Sequence, residues 1–160
     1  VPRKKYTAHT LYKMAESLLE QYSRKQLEKE CLEEDILLLT PTREQVGHAG
    51  YFSDPTASKA VKLLSNKELD YLRKVLGAVD AAVAEATEDE KKIFEYAFLK
   101  GWHWWRMCEL LACGRNTYYT WRKKLIWRVV HQLPVFGVVS WEDYYRAIGR
   151  RGKKNALAKR

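Results

Sequence analysis

Residues 113 to 124 read CGRNTYYTWRKK, a run in which polar, aromatic and basic residues alternate without forming blocks. At 100° per residue, Tyr118, Trp121, Leu125 and Val129 fall on one stripe of a helix, with steps of three, four and four. The opposite side then carries Asn116, Tyr119, Thr120 and Lys123, flanked by Arg115, Arg122 and Lys124. These residue types suit recognition rather than bond-making. An Asn amide matches adenine by two hydrogen bonds, a Lys donates to guanine, a Thr offers a hydroxyl and a methyl, and flanking cations suit phosphates. The wheel also places Trp127 on the outward face, beside Lys123.

Chemistry of other kinds finds little in the sequence. His9, His48, His103 and His131 stand in no recognisable relation to a nucleophile, Glu33, Glu34 and Asp35 read as a solvated acidic run, and no phosphate-binding glycine loop occurs. No enzyme is expected, and no cofactor. His103, Cys108 and Cys113 lack the close pairing of a structural zinc site, so no metal is expected either. Three cysteines in no framework spacing suit free thiols in a reducing compartment. No window approaches the ~18 apolar residues of a spanning helix. The basic start has no apolar signal region behind it, so a cytoplasmic protein without a membrane partner is expected.

Charge adds direction to the recognition reading. Residues 1 to 100 carry 16 Lys or Arg against 17 Asp or Glu, whereas residues 101 to 160 carry 13 against 3. The whole excess of the chain, net +9, therefore lies in its last 60 residues. A basic segment that folds usually faces a polyanion, and double-stranded DNA is the expected partner. Arg106, together with Arg150, Arg151, Lys153 and Lys154 in the tail, would supply further phosphate contacts. All six tryptophans lie in this basic part, and most are expected in the core.

The elements that would position these residues read as helical throughout. Leu11, Ala15, Leu18, Tyr22, Leu32, Ile36 and Leu39 suggest one long helix, or two joined pieces, over about 10–39, packed on the rest of the chain or on a second copy. Pro41, Gly47 and Gly50 mark a connector, and Asp54 with Pro55 opens a short helix to Leu64. Ser65 and Asn66 cap the next helix, whose Leu69, Leu72, Leu76, Val79 and Val83 form its apolar stripe. The two pieces outline a helical hairpin.

Thr87 and Glu90 have capping-box spacing before a helix that turns Ile93, Phe94, Ala97 and Phe98 inward and stops at Gly101. Two helices follow, about 103–112 and 115–132, divided by Cys113 and Gly114. Met107, Leu111 and Cys113 are apolar around that turn, and Cys108 is small where the helices cross, as a helix-turn-helix requires. Ser140 and Asp143 suggest a last short helix to Ile148, and VFGVVS (135–140) is a weak strand candidate. The expectation is an all-α chain: a helical scaffold and self-association region over 1–86, a helix-turn-helix over 87–133, and a short helix with a basic tail over 134–160.

The SDPTA helix start, the Trp104 to Cys108 spacing before the turn, and Thr117, Tyr118, Trp121 and Arg122 after it resemble the RinA and ArpU type of phage late-gene transcriptional activators. The resemblance covers about residues 50–133 together with the long N-terminal helix. It implies a C-terminal half similar to the promoter-reading helix-turn-helix of sigma factors, and it adds Thr117 to the candidate DNA-binding residues. It also implies an activator of phage or prophage late genes in a bacterial host; host RNA polymerase and a second copy of the chain are the further candidate partners. Where relatives tend to carry Ser as the cap of the recognition helix, this chain has Gly114, and the resemblance does not extend past Leu133. Two alternatives stand beside it: a packaging protein like a phage terminase small subunit, and a polymerase-binding regulator with weak DNA binding of its own.

Overall fold

The computed structural model describes residues 6–38, 60–63 and 65–157, with side chains described as far as Gly149. The fold is all-α, and no strand occurs among the described residues. The helices are α1 (Ala8–Glu20), α2 (Tyr22–Leu38), α3 (Lys67–Ala84), α4 (Glu88–Lys92), α5 (Trp104–Leu111), α6 (Arg115–Gln132) and α7 (Trp141–Leu157), with helical backbone also at 60–63. The connector around Pro41 to Gly50, the Asp54–Pro55 start and Leu39 lie outside the described residues, so the first helix of the expected hairpin is described at 60–63 alone and the second in full.

Contacts gather the chain into two compact units, one of residues up to 22 with those from 74 onward, the other of residues 23–73. The packing cuts across the expected boundary at 86/87, because α1 is part of the basic unit. In residues 23–73, α2 buries no side chain fully. It turns a half-buried face made of Lys25, Lys29, Leu32, Glu33 and Ile36 inward, at helical spacing. Arg73 on α3 donates to Glu33 at 2.8 Å, and Lys25 sits 6.0 Å above the Tyr71 ring. Asn66 caps α3, its Oδ1 accepting from the Glu68 and Leu69 N–H groups at 3.0 Å each.

The larger unit has a continuous core. It draws Leu11, Ala15, Leu18 and Leu19 from α1, Val75, Ala78, Val79 and Ala82 from α3, and Leu125, Ile126, Val129 and Val130 from α6. Removing each such Leu, Ile or Val from water contributes roughly 1.5–3 kcal/mol against chain entropy. Thr7 caps α1 by accepting from the Thr10 N–H at 3.1 Å, and the helix ends at Gln21, so the two joined pieces are the arrangement adopted. Tyr22 donates to Asp80 at 2.6 Å. Burial first and the Asp80 carboxylate second push its hydroxyl up to about 12.

The Thr87–Glu90 capping box forms in full, with both reciprocal bonds present. Glu90 is also the buried charged residue of the unit, and Arg128 of α6 donates to it at 2.7 Å. Beyond Lys92 the helix does not remain α. Ile93–Leu99 is a π-helix, closed by Lys100 N–H to Glu95 O at 3.2 Å and Trp102 N–H to Tyr96 O at 2.9 Å. Gly101, at φ +70°, makes the stop that its residue type suggests. Ile93 is buried, and Phe94, Ala97 and Phe98 are half-buried against the core.

The stretch expected as a weak strand is a series of turns instead. Val138 N–H bonds Leu133 O at 2.9 Å and Gly137 adopts φ +70°, which returns the chain on itself before any partner strand can be met. Phe136 of this loop lies against α3 at Gly77, where an added Cβ would come within 2.7 Å of the ring. A Gly to Ala change inside a helix normally stabilises by about 1 kcal/mol, but overpacking of this kind costs about 1–3 kcal/mol. Gly77→Ala is therefore expected to destabilise by about 1 kcal/mol in urea unfolding, and Phe136→Leu in the same chain to restore the loss.

α7 is longer than expected. Ser140 caps it, accepting from the Asp143 N–H at 3.2 Å, but the helix passes Ile148 and runs to Leu157. The basic residues of the tail thus extend a helix rather than follow it. Gly149 and Gly152 lie within it, and a helix tolerates single glycines at about 1 kcal/mol each.

Candidate nucleic-acid interface

Three residues, 112–114, join α5 to α6. Met107 is fully buried beneath them, and Leu111, Cys108 and Cys113 are half-buried and packed against the core. The Cys113 N–H reaches back to Cys108 O at 3.1 Å, the six-to-one bond of a helix end that reverses through a left-handed residue. Burial and then the neighbouring Cys108 push the Cys113 thiol above its ordinary value. The left-handed residue is Ala112, at φ 49° and ψ 43°, and not a glycine. Gly114 has extended backbone and caps α6 without a side-chain bond. Ala112→Gly should therefore stabilise the chain by about 0.5–1 kcal/mol, because Gly accepts this conformation without the Cβ penalty. An unchanged or lowered melting temperature would contradict that.

α6 buries Tyr118, Leu125, Ile126, Val129 and Val130. Its N-terminal half exposes Arg115, Asn116, Thr117, Tyr119, Thr120, Lys123 and Lys124. The first residue is held in place by stacking, with the Arg115 guanidinium 4.7 Å from the Trp104 ring and 5.7 Å from the Tyr119 ring. On α5 the exposed Arg106 lies 3.8 Å over Trp102 in the same way. Thr120 donates its hydroxyl to Asn116 O at 2.8 Å, which leaves its methyl and oxygen lone pairs for a ligand.

Two expected members of the face are placed elsewhere. Arg122 donates to Glu16 of α1 at 2.7 Å, lies 3.6 Å from Glu20, and sits 4.9 Å from the Phe98 ring. It is 22 % exposed and belongs to the packing between α1 and α6, so it does not flank the face as a free cation. Trp127, expected to face outward, is half-buried with its ring 5.8 Å from Tyr12 of α1 and 6.0 Å from His131. The wheel gave its azimuth correctly but not the helix that covers that side. His131 in turn meets the Tyr144 hydroxyl of α7 through Nδ1. Arg150, Arg151, Lys153 and Lys154 lie on the backbone of α7, where side chains are not described.

Sequence reasoning missed Glu16 and Glu20 as the partners of Arg122, since both sit in a stretch whose charges cancel. It also missed that Trp105 stays exposed on α5. Among the described residues no cluster of His, Cys, Asp and Glu is arranged to hold a metal, and no helix is long and apolar enough to cross a membrane. Comparisons of the chain with protein-family models, with curated proteins and with solved structures find no match.

Proposed function

We propose that the chain is a sequence-specific DNA-binding transcriptional activator, in which α5, the turn 112–114 and α6 act as a helix-turn-helix. The observation that carries this reading is the exposure, on the N-terminal half of α6, of Arg115, Asn116, Thr117, Tyr119, Thr120, Lys123 and Lys124 behind a three-residue turn. The segregation of the net positive charge into the last 60 residues supports it. In this reading Asn116, Tyr119, Thr120 and Lys123 contact base edges, Arg115 and Lys124 contact phosphates, and Arg106 adds a contact from α5. The resemblance to RinA and ArpU type activators supplies the further proposal that the controlled operons are phage or prophage late genes.

Selection from a randomised duplex library at low and near-physiological salt tests the reading. Enrichment of a motif that persists at the higher salt is the expected result, and an unenriched pool that binds only at low salt would sink it. One observation favours a second role. Trp105 is 52 % exposed and Leu110 is also exposed, both on α5, and such residues suit a protein partner such as host RNA polymerase. Capture of polymerase that survives nuclease treatment and is lost in Trp105→Ala would support it.

A further inference from the structure

α1 meets α6 with Tyr12 at Trp127 and Glu16 at Arg122, so each turn of α1 steps closer to the exposed half of α6. Its last turn therefore brings carboxylates, not cations, to that half. Glu16 is 15 % exposed and takes bonds from both Lys13, at 2.8 Å, and Arg122. Burial alone would raise its pKa, but the bonds from Lys13 and Arg122 outweigh it and hold the carboxyl below the ordinary range. Glu20 is 57 % exposed and reaches Arg122 only at 3.6 Å, leaving most of its charge facing solvent. At 100° per residue, Lys124 lies about 160° round the helix from Arg122, and Thr117 shares its side.

We propose that the acidic end of α1 is the edge of the DNA site: Glu16 and Glu20 keep Arg122 out of phosphate contact and repel the backbone from the flank of α6 around Arg122, about two turns beyond Arg115, so that the phosphates there run along the flank of Thr117 and Lys124. This rests on the DNA-binding reading. Arg122 is then a positioning residue, which holds α6 on α1, and Glu20 limits affinity instead of adding to it. A duplex approaching on the Arg122 side would place phosphates beside an exposed carboxylate, an arrangement that repels at low ionic strength.

The salt dependence of duplex binding separates the roles, because each phosphate contact contributes about 0.9 to the slope of log K against log salt. Using the selected duplex and the full chain, Lys124→Gln should lower the slope by about 0.9, and Arg122→Gln should leave it unchanged. Glu20→Gln should tighten binding about threefold at low salt, as expected for removing one nearby unit charge in water, with the gain vanishing at high salt. Because Arg122→Gln leaves the Glu16 carboxylate with Lys13 as its remaining cationic partner, the double variant Glu16→Gln/Arg122→Gln, checked by its melting curve, decides the matter if the single variant unfolds. A slope lowered by about 0.9 in either Arg122 variant, or no change at low salt in Glu20→Gln, overturns the inference while leaving the DNA reading intact. Failure of the unaltered chain to retain any duplex at low salt overturns both.

Discussion

Glu90→Ala should lower the unfolding free energy by about 3 kcal/mol or more, the largest loss expected from any single substitution considered for this chain. Two consequences add. The Glu90 carboxylate accepts from the Thr87 N–H at 3.1 Å, closing the capping box, and from Arg128 Nε at 2.7 Å, tying the start of α4 to the C-terminal part of α6. Loss of a cap alone costs about 1 kcal/mol. Breaking a buried pair by removing one partner costs about 3–5 kcal/mol, and the lower part of that range applies because Arg128 is 34 % exposed and can recover some hydration. Urea unfolding measures the change. Glu90→Gln preserves an acceptor for Thr87 but not the charge, so it should fall between the two. A double-mutant cycle with Arg128→Ala should show a coupling well above the fraction of a kcal/mol typical of surface pairs. A loss below about 1 kcal/mol in Glu90→Ala would mean that the cap is the whole of its contribution.

Lys123→Ala should cost about 1–3 kcal/mol on the selected duplex and much less on random DNA. The side chain is exposed near the middle of α6, one turn beyond Tyr119 and Thr120, with Trp127 covered by Tyr12 immediately behind it. The measurement is binding to the selected duplex, to single-base variants of it and to an unrelated duplex. Relaxed discrimination at one base pair marks a base contact. An equal loss on all sequences, with a shallower salt slope, would instead place Lys123 on phosphate. Asn116→Ala serves as the parallel case, since its amide can only contribute through hydrogen bonds.

Local signals in the sequence proved legible where both partners of an interaction lie within one helical turn or one stripe. Thr87 with Glu90, Ser140 with Asp143, and Asn66 ahead of Leu69 all form the caps their spacing implies. Leu69, Leu72, Leu76 and Val79 of the expected stripe are buried on α3, and Val83 is half-buried. The division of α5 from α6 was equally clear, because Cys113 and Gly114 interrupt two apolar patterns. What the sequence hid is long-range. Arg122 finds Glu16 across 106 positions, and nothing local distinguishes it from the neighbouring Lys123. Trp127 is covered by Tyr12 for the same reason. The left-handed turn residue was also illegible, since Gly114 is the residue type that suits such a conformation and Ala112 adopts it. The π-helix over Ile93–Leu99 left no trace in spacing, because its inward residues satisfy an α pattern as well.

The place of α1 in the basic unit has a kinetic consequence. Its main core partner, Leu125 to Val130 on α6, is encoded far downstream of Leu11 and Leu19. Contacts of high sequence separation carry their loop-closure cost before they contribute any stability, which slows the step that makes them. On a ribosome, α1 emerges well before α6 and must wait, with its apolar face open, until the chain as far as Val130 has followed. Closure of this unit thus waits on the synthesis of α6, and a chain cut short before Val130 would release α1 with part of its partner helix missing.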